Sequence, residues 1–104
     1  MLRASADHND VTVDLAGIRD ATIDSGVPHG HALIALTDAV VLRDVDERQI
    51  AFGALVGAVG EQAAVRAAAV AGNFEMMNRL LDGIGVGAPP GAAPIAAEIG
   101  VSVW

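Results

Sequence analysis

A chain of 104 residues is long enough for one domain with a modest core. Its net charge of −7, with every cation a scattered arginine, argues against a nucleic-acid partner or an anionic membrane surface. The absence of cysteine excludes disulfides, thiolate metal sites and thiol catalysis.

The apolar fraction is 53%, and much of it is alanine, which favours helix but buries little area per residue. Aromatic residues are limited to Phe52, Phe74 and Trp104. A core so thin in large side chains gains from association with further copies. No run of about 18 uncharged apolar residues is present, and the N-terminal MLRASADHNDV lacks the apolar segment of a secretion signal. The expectation is a single all-α domain from Met1 to Trp104, cytoplasmic and off the membrane. Four main helices and a short C-terminal one are expected.

Residues up to Asn9 are polar and unpatterned, and read as a loose end. Asp10 is placed to cap a helix running to about Ser25, with Val11, Leu15, Ile18 and Thr22 on one face and Gly26 as its stop. The opening Val-Thr-Val-Asp-Leu also alternates with period two, so a short strand competes for residues 11–15. Pro28 suits the first turn of a second helix that runs to about Arg43. Its run of Leu33, Ile34, Leu36, Val40, Val41 and Leu42 predicts burial on most sides.

Asp44, with Glu47 three residues later, forms a capping-box-like start to a third helix over about Val45 to Val59. Gly60 ends it, and the fourth helix follows almost at once, so the two form a hairpin or a steep crossing. Glu61 to Val86 is the longest proline-free run. Wound at about 100° per residue, it shows two apolar stripes. Ala63, Ala67, Val70, Phe74, Met77 and Leu81 form one. Val65, Ala69, Gly72, Met76 and Leu80 form the other. The first is expected to face the chain's own core, and the second to be a subunit interface of a homo-oligomer. Gln62, Arg66 and Asn73 form a thin polar strip between them, while Glu75, Asn78, Arg79 and Asp82 share a polar face. Gly83, Gly85 and Gly87 fray the helix end, the Ala88-Pro89-Pro90-Gly91 stretch is a loop, and Pro94 opens the short last helix closed by Gly100. The tail, Val101 to Trp104, is apolar and alternating, fit for an edge strand or an arm.

From about Ala32 to Val86 the chain resembles the carboxymuconolactone decarboxylase and alkylhydroperoxidase-D-like superfamily. The resemblance rests on a buried helix, a short capped helix, and a long helix ending Asn-Phe-Glu-Met-Met-Asn-Arg-Leu-Leu-Asp-Gly-Ile-Gly-Val at positions 73–86. It implies small helical proteins that assemble as homo-oligomers. Active peroxidases of that superfamily use a Cys-x-x-Cys pair with a glutamate and a histidine, and this chain has no cysteine. The resemblance therefore implies no thiol peroxidase activity, while the decarboxylase branch leaves acid-base chemistry on a small molecule open.

The residues that could carry such chemistry are few. His29 and His31 are candidates for proton transfer; as i and i+2 on a helix they would point apart, a poor chelate, so no metal and no cofactor is expected. Arg66 and Asn73 are candidates for holding a ligand, although an interface pair of Arg66 with an acidic residue is the favoured reading. Adjacent Met76 and Met77 read as apolar filler. The Gly83, Gly85, Gly87 series follows a helix rather than a strand, which argues against a dinucleotide loop. Two functions follow: a cysteine-free relative of the superfamily that binds a small molecule, or a non-catalytic homo-oligomeric interaction module.

Overall fold

The computed structural model describes residues 2–102 and is all-helical, with no strand among the described residues. Helices α1 (Leu2–His8), α2 (Gly30–Val41), α3 (Val45–Val59), α4 (Glu61–Gly83) and α5 (Ala92–Ile99) are joined by turns, with a 3-10 turn at Leu15–Ile18 between the first two. The chain divides into two compact units. One combines the residues up to Gly30 with those from Ala88 onward, and the other runs from His31 to Gly87.

In the His31–Gly87 unit, the capping expected at Asp44 is present: its carboxylate accepts the amide of Glu47 at 3.0 Å. Glu47 is not needed for the return bond, because the Asp44 amide already donates to the carbonyl of Ala39 at 3.0 Å. Gly60 is the one residue between α3 and α4, at φ 89°, and lets α4 fold back against α3. The buried cluster is Leu36 from α2, Ala51 and Leu55 from α3, and Ala64 from α4. Phe52, Val56, Val59, Ala67 and Ala68 pack around it half-buried. α2 is less enclosed than its composition predicts: Leu36 and Ala39 are buried, but Val41 and Leu42 are exposed.

The other unit departs most from the sequence expectation. The first residues are helical rather than loose, and no helix runs from Asp10 to Ser25. Asp10 ends α1 instead of starting a helix. It adopts φ 54°, and the next amide, Val11, donates back to Ala6 at 2.8 Å. Asp14 does the capping, accepting the amide of Ala16 at 3.0 Å at the head of the 3-10 turn. Gly17 is buried there because a Cβ would stand 2.9 Å from both the Ile23 carbonyl oxygen and the Ser25 amide nitrogen. The period-two segment makes no ladder; the Asp14 amide pairs with the Ser25 carbonyl at 2.9 Å and the chain turns away. α5 packs against the 3-10 turn, and the Arg19 guanidinium donates to the carbonyl of Gly100 just past α5. Among the described residues, Ala6, Leu15 and Ala96 are the buried apolar residues of this unit. Val101 and Ser102 are exposed and irregular; Val103 and Trp104, where an edge strand or arm was expected, lie outside the described residues.

Candidate functional site

Four helices end the same way. After α1, α2, α4 and α5 the residues Asp10, Arg43, Gly85 and Gly100 take positive φ, and the next amide donates to the carbonyl five residues back. This closure satisfies carbonyls that a helix end leaves free. At Arg43 it is fused with the start of α3, because Asp44 both completes the closure and caps the next helix. A cleft of about 210 Å³ opens at this corner, lined by Ala39, Val40, Arg43, Asp44, Val45 and Arg48. Its walls are mostly apolar, with two guanidinium groups and a carboxylate already committed to capping. The sequence reading did not anticipate the cleft, although the Asp44 capping signal marks the corner that forms it.

The residues singled out for chemistry lie elsewhere. His29 is exposed at φ 57°, and His31 is exposed in the first turn of α2. Neither lines the cleft. Among the described residues, no group of three histidine, cysteine, aspartate or glutamate side chains is placed to hold a metal. Arg66 and Asn73 are also exposed, not wedged between covered stripes. Asn73 reaches the sulfur of Met77, with its Nδ2 at 3.8 Å. Glu75 and Arg79, four residues apart on the polar face of α4, form an ion pair at 2.6 Å. Asn78 and Asp82, spaced the same way, make no such contact among the described residues. Asp20, fully exposed, is held below the ordinary carboxylate range by the hydroxyl of Thr22 and by the Thr22 amide, both donating to it.

The surface of α4 is the more informative feature. Its face toward α3 is made of small residues: Ala64 is buried, and Ala67, Ala68 and Ala71 are half-buried. The stripe expected to fill the chain's own core is open, with Val70 57%, Phe74 43%, Met77 45% and Leu81 40% exposed. The stripe expected to be an interface is open as well: Val65, Ala69, Gly72, Met76 and Leu80 are all exposed. A Cβ built on Gly72 would meet nothing within 4 Å, so no neighbour in the chain accounts for that glycine. No helix among the described residues is long and apolar enough to cross a membrane. No protein-family model, curated protein or solved structure matches the chain.

Proposed function

We propose that this chain is a non-catalytic interaction module that assembles with copies of itself through α4. The observation that carries the reading is the row of large apolar side chains left open along one helix of a small protein. Fully burying a Leu, Met or Phe side chain is worth about 1.5–3 kcal/mol, and a partner helix would recover that. The exposed positions of His29, His31, Arg66 and Asn73 supply no enclosed place for a reaction. A negatively charged, cytoplasmic protein without nucleic-acid partners fits the composition. The second reading, a cysteine-free alkylhydroperoxidase-D-like protein that binds a small molecule, keeps its support in the phrase at positions 73–86.

Sedimentation equilibrium distinguishes them. Self-association is expected between about 1 and 100 μM. A monomer across that range removes the assembly reading. A small-molecule binder would instead show ligand-dependent stabilisation that is lost in an Arg66→Ala variant.

A further inference from the structure

α4 leaves two rows of apolar side chains open, and each row carries one thioether. Met76 is 64% exposed and lies four residues before the exposed Leu80; Met77 is 45% exposed and lies four residues before Leu81. As neighbours on a helix the two point about 100° apart, one along each row. We propose that this pair is a site of oxidation by hydroperoxides, with Met76 reacting ahead of Met77, through which an oxidant turns both rows of α4 from apolar to polar. The reaction requires only that the helix be uncovered, as it is in the single chain, and does not depend on assembly through α4.

A cysteine thiolate would react with a peroxide faster, but the chain has no cysteine, so no thiol competes with the thioethers for an oxidant. A nonbonding pair on Sδ attacks the terminal peroxide oxygen. The S–O bond forms as the O–O bond breaks, and the hydroxyl proton passes to the leaving oxygen, which departs as water or an alcohol. Sulfur loses two electrons and the peroxide gains them, so no further reductant is required. The order follows from the surroundings of the two sulfurs. Asn73 donates its Nδ2 amide to Met77 Sδ at 3.8 Å, and among the described residues no such donor reaches Met76. A thioether is a weak acceptor, and a pair engaged in this way is a poorer nucleophile. The sulfoxide is polar where the thioether was apolar. Neither methionine belongs to the buried cluster of Leu36, Ala51, Leu55 and Ala64, so the change falls on the surface and leaves the fold intact.

The test treats the purified chain with hydrogen peroxide at about 0.1 μM, below the association range given above, so that assembly does not shield the sulfurs. Peptide mass spectrometry follows each methionine separately, with N-acetylmethionine amide as the reference. Met76 is expected to gain one oxygen within about threefold of the reference rate, with Met77 about two- to threefold slower. Asn73→Ala is expected to narrow that gap by speeding Met77 while Met76 keeps its rate. Circular dichroism is expected to stay unchanged as retention on a hydrophobic-interaction column falls. A chain carrying both Met76→Leu and Met77→Leu should keep its retention under the same treatment, since leucine is apolar, helix-favouring and inert to peroxide. Reaction of both sulfurs more than about tenfold slower than the reference overturns the site. Met77 reacting first overturns the order. A fall in retention that persists in the double leucine variant overturns the claim that these two residues carry the change in polarity.

Discussion

Arg43 occupies a backbone position where a side chain is least at ease. At φ 56° it closes α2, and a residue with a Cβ costs about 1–2 kcal/mol in that left-handed region. Glycine removes this cost but adds freedom to the unfolded chain, offsetting about 0.5–1 kcal/mol. Arg43→Gly is therefore expected to raise stability by about 0.5–1 kcal/mol, read as a higher urea midpoint with unchanged slope. Asp10 holds the equivalent place after α1, and it shows why the first thirty residues were illegible in the sequence. Aspartate favours helix starts through its carboxylate and also tolerates the left-handed helix end. Composition alone does not say which role it fills, and choosing the start converted a short helix and an extended segment into one long helix.

The helix pair α3 and α4 was legible because its punctuation was unambiguous: a capping aspartate at one end, a lone glycine between, and no proline within. Which face of α4 meets which neighbour was not legible. A helical wheel locates apolar stripes but not their cover, and the alanines that face α3 were outranked by larger residues that face outward. The structure moves the weight of the unit's core to Leu55, fully buried between helices. Leu55→Ala should cost about 2–5 kcal/mol. Phe74→Ala, at a position already 43% exposed, should cost less than about 1 kcal/mol in dilute, monomeric protein, reversing the order that aromatic size would suggest. Urea denaturation of both variants at low concentration checks the ranking. The corner cleft was hidden for a related reason: it arises from two helix ends sharing Asp44, a geometry that no single-helix pattern describes.

Across the whole chain, the residues group into two compact units, each with its own small set of buried residues. In the unit built from both ends of the sequence, Arg19 reaches across to the Gly100 carbonyl, and α5 packs on the 3-10 turn. Because Arg19 is exposed, this bond is expected to contribute on the order of 1 kcal/mol. Arg19→Ala should speed hydrogen exchange roughly fivefold at the amides that close α5, Gly100 and Val101. The amides of α3 and the first half of α4 should exchange as in the wild type. Exchange measured by mass spectrometry at residue or short-peptide level separates the two responses.

The discontinuous unit also imposes an order on biosynthesis. Its 3-10 turn leaves the ribosome early, but the helix that packs on it is translated some eighty residues later. The buried cluster of the His31–Gly87 unit draws on residues 36–64 alone, all of them translated well before α5. The N-terminal segment must wait through that interval with Leu15 uncovered, so a ribosome stalled before α5 would hold one finished unit and one open segment on the same chain.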